Sequence, residues 1–174
     1  MADMTLSGGG RTVPRALHEE DDMDTTAGRP NATRKTPSPE PQKHAGSCHC
    51  GAVRFEVTLD ATRASRCNCT ACTKTGVTGS AVKPDAFTLL SSENALGTYE
   101  WGRKTVRRFF CKHCGVHCFG RGHLAEMGGD YVSINVSCLD DVELSGLAVT
   151  YWDGRHDNWL AGTRETPWPI FASA

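Results

Sequence analysis

Residues 52–59 carry the clearest hydrophobic pattern in the chain. Val53, Phe55, Val57 and Leu59 alternate with Arg54, Glu56 and Thr58. Successive side chains of an extended backbone point to opposite faces, so this period of two predicts a half-buried strand. Residues 77–83 and 87–90 predict further strands, split by Pro84 and Asp85. Segments 99–101 and 105–110 predict a hairpin that turns at Gly102 and Arg103. Tyr131, Val132, Ile134 and Val136 place a strand over 130–136, and 147–152 adds another. Short helices are expected only over 70–75 and 158–161. Many short strands punctuated by Gly and Pro, with no long amphipathic helix, predict an all-β (mainly β) domain.

The pattern is absent from the first part of the chain. Residues 1–45 contain no Phe, Trp, Tyr or Cys but hold Pro14, Pro30, Pro37, Pro39 and Pro41. Such a segment buries too little apolar surface to offset its ordering entropy. It is expected to be a disordered tail, with the folded domain spanning 46–170. The acidic stretch Glu19, Glu20, Asp21, Asp22 and Asp24 argues against a mitochondrial presequence, and no apolar run follows Met1 as a secretory signal would require. A cytoplasmic protein is expected. No apolar stretch approaches the roughly 18 residues that would span a bilayer. A formal net charge of -1 gives no electrostatic reason to expect nucleic acid as the main partner.

Cysteine changes the picture most. Of nine cysteines, seven fall into three tight groups: Cys48-x-Cys50, Cys67-x-Cys69-x-x-Cys72 and Cys111-x-x-Cys114. Sulfurs so close in sequence can converge on one metal ion. A secreted disulfide framework would expect a signal peptide and an even count. A redox dithiol would expect a βαβ setting around its Cys-x-x-Cys pair. Iron–sulfur clusters also use cysteine runs, but a split of four and three fits zinc better. Structural zinc takes four protein ligands, and catalytic zinc takes three and keeps one position open. One closed and one open site are therefore expected, with two zinc ions.

The words Gly46-Ser-Cys-His-Cys-Gly-Ala-Val-Arg-Phe-Glu-Val57, Cys67-Asn-Cys-Thr-Ala-Cys72 and Phe110-Cys-Lys-His-Cys-Gly-Val116 together resemble the glutathione-dependent formaldehyde-activating enzyme family, which shares its domain with centromere protein V. The resemblance implies an Mss4-like β fold. It also implies that Cys48, Cys50, Cys111 and Cys114 form the structural zinc site, and that Cys67, Cys69 and Cys72 form the open, catalytic one. Gly115 would take a positive φ and turn the chain around the metal. The activity implied is that of a carbon–sulfur lyase acting on a thiol–aldehyde adduct such as S-hydroxymethylglutathione. The alternative is a non-catalytic zinc-binding interaction module, as other Mss4-like domains are.

Coordination to a metal deprotonates a thiol at neutral pH, and the thiolate adds to an aldehyde carbon. The adduct oxygen then needs a proton. His49, His113, His117 and His123 are the candidate donors, and no catalytic residue is assigned among them. Glutathione carries two carboxylates, so its groove should offer cations: Lys74, Arg103, Lys104, Arg107, Arg108 and Arg121 are available. Arg107 and Arg108 cannot both line one groove, because neighbours on a strand face opposite ways. Trp101, Trp152, Trp159 and Trp168 are candidates for a pocket wall or for the core. Cys118 and Cys138, outside the seven, are expected to pack as small hydrophobic side chains.

Overall fold

Ten strands and one short helix lie along residues 39–171, the part of the chain that the computed structural model describes. They are β1 (Gln42–Ser47), β2 (Arg54–Leu59), β3 (Arg63–Cys67), α1 (Thr70–Thr75), β4 (Gly79–Val82), β5 (Phe87–Leu89), β6 (Leu96–Tyr99), β7 (Val106–Cys111), β8 (His117–Leu124), β9 (Gly129–Asn135) and β10 (Ala148–Trp152). The chain is mainly β, as its alternation predicts. The strands form a small antiparallel sheet of order β1-β2-β5 and a seven-stranded sheet of order β10-β3-β4-β9-β8-β7-β6. In the larger sheet β10 runs parallel to β3, and the other neighbours are antiparallel.

The core is the layer between the two sheets. Val53, Phe55, Val57 and Leu59 are all buried, and Arg54 and Thr58 on the other face are exposed. Phe55 and Phe87 from the small sheet meet Phe119 from the large one, with ring centroids 6.1 and 4.8 Å away. Phe109 stacks on Phe119 at 4.9 Å. Burying each such ring is worth about 1.5–3 kcal/mol, so this aromatic cluster is the main apolar tie between the sheets. Gly46 stands opposite Phe55 in the β1–β2 register, and a Cβ there would run into the Phe55 ring.

Several boundaries differ from those expected. Pairing begins at Gln42, before residue 46, and His44 on β1 is buried against Asp141 at 3.1 Å. The remainder of the expected disordered tail, residues 1–38, lies outside the described residues. The strand expected over 77–83 is confined to Gly79–Val82. The expected hairpin starts earlier, at Leu96, and its turn spans 100–105, with positive φ at Gly102 and Lys104. A 3-10 turn over Val136–Cys138 ends β9. The helix over 70–75 is α1, and 159–161 is a single 3-10 turn.

Strands β1, β3 and β8 were not anticipated. In β8 the glycines that break the pattern are required by packing. A Cβ on Gly120 would lie 2.7 Å from Ser133 Oγ, and one on Gly122 would lie 2.7 Å from the Tyr131 ring. Among the described residues no helix is long and apolar enough to cross a membrane.

Candidate metal centres

Two tight turns build the first centre. Cys48 follows β1, and its N–H donates to Val53 O at 3.0 Å while Gly51 N–H donates to Cys48 O at 3.1 Å. The turn after β7 repeats the plan: Cys111 N–H to Val116 O and Gly115 N–H to Cys111 O, both 2.9 Å. Gly51 and Gly115 have φ of 76° and 74°, a region that only glycine enters without steric cost. The two turns meet, and the sulfurs of Cys48, Cys50, Cys111 and Cys114 all lie within 4.8 Å of one another. Because Cys48 follows β1 and Cys111 ends β7, the cluster joins the small sheet to the large one.

The second centre is local. Cys67 ends β3, Cys69 is the residue before α1 and Cys72 lies in the first turn of that helix. Asn68 N–H donates to Trp152 O at 3.2 Å, which fixes this strand-to-helix corner against β10. Gly76, with φ 66°, ends the helix. The three sulfurs lie within 4.8 Å of one another and are all partly accessible, whereas in the first centre Cys48 and Cys111 are buried, Cys114 is partly accessible and Cys50 is exposed.

Both sulfur sets fit zinc. A tetrahedral ion with Zn–S near 2.3 Å sets its sulfurs about 3.8 Å apart. Cys48 Sγ and Cys50 Sγ are 3.6 Å apart, and Cys50 Sγ and Cys111 Sγ 3.7 Å. Each set also holds one sulfur ready to ionise. Hydrogen bonds from the thiols of Cys67 and Cys72, supported by the amides of Cys72 and Ala71, hold Cys69 down at about 2. Burial raises Cys114, but hydrogen bonds from the amides of Val116 and Cys50 and the thiol of Cys111 outweigh it and bring the group to about 6. Cys48, in contrast, is pushed up by burial to about 12. Four sulfurs can close the coordination shell of one ion, and three leave a position for an exchangeable ligand.

A distinct group of side chains stands beside the trio. Arg108 Nη2 donates to Cys72 Sγ at 3.8 Å, and its guanidinium carbon lies 3.8 Å above the Trp101 ring. His117, paired with Phe110 beyond a bulge at Cys118 of β8, is held at about 4 by burial and by the nearby charge of Arg108. Tyr131 is buried and senses both Arg108 and Cys72. On the other side, the segment after β10 lies against Cys67. A Cβ on Gly154 would fall 2.6 Å from Cys67 Sγ and 2.7 Å from the Trp159 ring. Asp153 anchors this segment: it accepts from Asn68 Nδ2 at 2.7 Å, bonds the His156 ring at 2.7 Å, and meets Asn158 Nδ2 at 3.4 Å. Arg155 N–H donates in turn to Asn68 Oδ1 at 2.8 Å.

The remaining sequence candidates are dispersed. Arg108 joins the trio, whereas Arg107 pairs with Glu100 at 3.0 Å on the opposite face, as strand alternation requires. Arg107, Lys104 and Arg121 line a separate cavity of about 630 Å³ with Phe87 and Phe109. Lys74 and Arg103 are exposed. His49 and His113 are exposed on the two turns of the first centre, and His123 is an exposed partner of Asp130. Of the tryptophans, Trp101 and Trp159 border the trio's surroundings, Trp152 is paired with Cys67, and Trp168 donates to Tyr151 O. Cys118 and Cys138 are buried as expected and donate to the carbonyls of Val116 and His117. The roles of Asn68, Tyr131, Asp153 and Gly154 were not anticipated. An Asp-Gly pair directly after a strand was the only sequence signal for the last two.

Known proteins resemble this chain. A crystal structure of a Rhodobacter sphaeroides protein is similar, with a TM-score of 0.54 and 28% identity over 64% of this chain and 99% of that one. Two fungal proteins named for glutathione-dependent formaldehyde activation, from Penicillium rubens and Phaeosphaeria nodorum, are each 36% identical over 81 residues. That match covers 42% of this chain and 41% and 42% of theirs, so the chain spans less than half the length of these relatives. The family model for glutathione-dependent formaldehyde-activating enzymes matches residues 43–154, which include all seven clustered cysteines. The chain thus belongs to the glutathione-dependent formaldehyde-activating enzyme family.

Proposed function

We propose that this protein is a zinc-dependent carbon–sulfur lyase that makes and breaks thiol–aldehyde adducts, with S-hydroxymethylglutathione as the representative substrate. Cys48, Cys50, Cys111 and Cys114 hold a structural ion, and Cys67, Cys69 and Cys72 hold a catalytic one. The observation that carries this reading is the contrast between four sulfurs joining two sheets and three partly accessible sulfurs beside an arginine. When bound to the trio, zinc supplies the positive charge that keeps an incoming thiol deprotonated near neutral pH.

The chain's own residues do the rest. The amides at the start of α1 favour a thiolate at Cys69. Arg108 adds a fixed positive charge at Cys72, and the Trp101 ring holds it there. The Gly154 segment covers Cys67 on one side. In the synthetic direction the sulfur lone pair of the substrate thiolate forms a bond to the aldehyde carbon. The carbonyl π pair moves to oxygen, which takes a proton from water. The lyase direction reverses each step. We place this activity in the cytoplasm, where thiols remain reduced.

Replacing zinc with cobalt makes the centres visible by absorption. Glutathione should change the spectrum of the cobalt protein, and Cys69→Ser should abolish the change while the spectrum of the four-cysteine centre remains. A spectrum indifferent to glutathione would instead favour a non-catalytic zinc module.

A further inference from the structure

Four side-chain nitrogens are buried without a hydrogen-bond partner among the described residues, and three belong to Arg108, which contacts Cys72, and to His117, which feels the charge of Arg108: Arg108 Nη1 and both ring nitrogens of His117. A buried donor left unpaired costs about 1–3 kcal/mol, so orphans gathered at one place call for a partner that the described residues do not supply. Arg108 is not free to turn away. Its other terminal nitrogen meets Cys72 Sγ at 3.8 Å, and its plane rests on Trp101, which stacks on Tyr99 at 5.7 Å. Opposite Arg108 in the β7–β8 register stands Gly120, which puts no side chain over the sheet there. His117 reaches the same face because the register shifts between Phe109 and Phe110, where Cys118 is the extra residue of β8. Held neutral, its ring offers one donor and one acceptor.

On the reading of the trio as a thiol–aldehyde site, we propose that Arg108 Nη1–H and a ring N–H of His117 hold the oxygen of the adduct. The ligand class is then specific: an oxygen on the same carbon that carries the sulfur. As the carbon–sulfur bond forms, the carbonyl π pair becomes a charge on that oxygen. Two donors already in place stabilise the charge before water protonates it. In the reverse direction the same donors hold the oxygen while the carbon–sulfur electron pair returns to sulfur. His117 thereby separates this chemistry from simple thiol binding, which the trio and the charge of Arg108 serve.

Two small probes isolate the oxygen contact. Thioacetate carries sulfur and oxygen on one carbon, and ethanethiol lacks the oxygen. Calorimetric titration of each into zinc-loaded protein compares the wild type with Arg108→Met and His117→Leu, with zinc content measured for every variant. Each variant should weaken thioacetate binding by about tenfold or more, the scale of one charge-assisted hydrogen bond, and His117→Leu should leave ethanethiol within about twofold. His117→Leu is the safer variant, because no contact ties His117 to a clustered cysteine. Equal losses for both probes in His117→Leu, or undiminished thioacetate binding in both variants, would overturn the oxygen site while the thiol-binding reading stands. Failure of both probes to bind the wild type would remove the thiol site and this proposal together.

Discussion

Gly154→Ala changes one methyl group, and the structure sets its consequence. The φ of Gly154 lies outside the left-handed range, so alanine suffers no backbone strain there. The new Cβ would lie 2.6 Å from Cys67 Sγ and 2.7 Å from the Trp159 ring. Ordinary contacts need about 3.5–4.0 Å, a deficit of about 1 Å on two sides. Trp159 is half exposed and can shift, but the Cys67 side does not yield easily. Cys67 is fixed at the end of β3, and the segment is tied to Asn68 through Asp153 and Arg155. Overpacking of this kind costs about 1–3 kcal/mol, or roughly 4–10 °C in melting temperature for a domain of this size. The displacement falls on the trio, so the purified variant should hold one zinc where the wild type should hold two. Gly115→Ala is the contrast. It has open space around its Cβ but a φ of 74°, so its cost of about 1–2 kcal/mol comes from the backbone and falls on the four-cysteine centre. Elemental analysis and thermal melting read both variants. A Gly154→Ala protein with two ions and an unchanged melting temperature would refute the packing of this segment on Cys67.

Cys48→Ser and Cys114→Ser should lose cooperative folding, because metal binding at a site joining two sheets is coupled to folding; Cys69→Ser should stay folded with one ion, as circular dichroism and zinc analysis will report. Phe119→Ala should cost about 3–5 kcal/mol in urea denaturation, since its ring meets Phe55, Phe87 and Phe109. His117 sets a pH dependence. Its folded-state pKa of about 4 lies below the unfolded value near 6.5, so the unfolded chain binds the extra proton between those values and stability falls as pH drops through that window. The wild type should lose up to about 2 kcal/mol between pH 7 and 5 from this group, and His117→Gln should lose that much less; equal slopes in the two proteins would contradict the burial of the ring.

Much of this was legible in the sequence where local pattern and final structure coincide. The alternation over β2 specifies its buried face by itself, and α1 lies where the cysteine spacing and Gly76 mark a turn. The grouping of cysteines anticipates both clusters, because neighbours on one turn need no tertiary information to converge. What escaped depends on distant partners. β8 looks like a loop because Gly120 and Gly122 interrupt it, yet those glycines make room for Ser133 and Tyr131 on the adjacent strand. β1 sits in a proline-rich, aromatic-free context, and only pairing with β2 and the His44–Asp141 contact reveal it. Arg108 was one cation among six, distinguished only when the fold set it on Cys72. Asp153 and Asn68 are 85 residues apart in sequence, and nothing local to either announces their bond.

Exchange NMR on zinc-loaded protein with glutathione and formaldehyde follows the interconversion of free aldehyde and S-hydroxymethylglutathione as it occurs. The wild type should raise the exchange rate above that of the uncatalysed mixture. Cys69→Ser, with its four-cysteine centre still loaded, should return the rate to the uncatalysed value. An unaccelerated wild type, or a Cys69→Ser variant as fast as the wild type, would contradict the assignment of lyase chemistry to Cys67, Cys69 and Cys72.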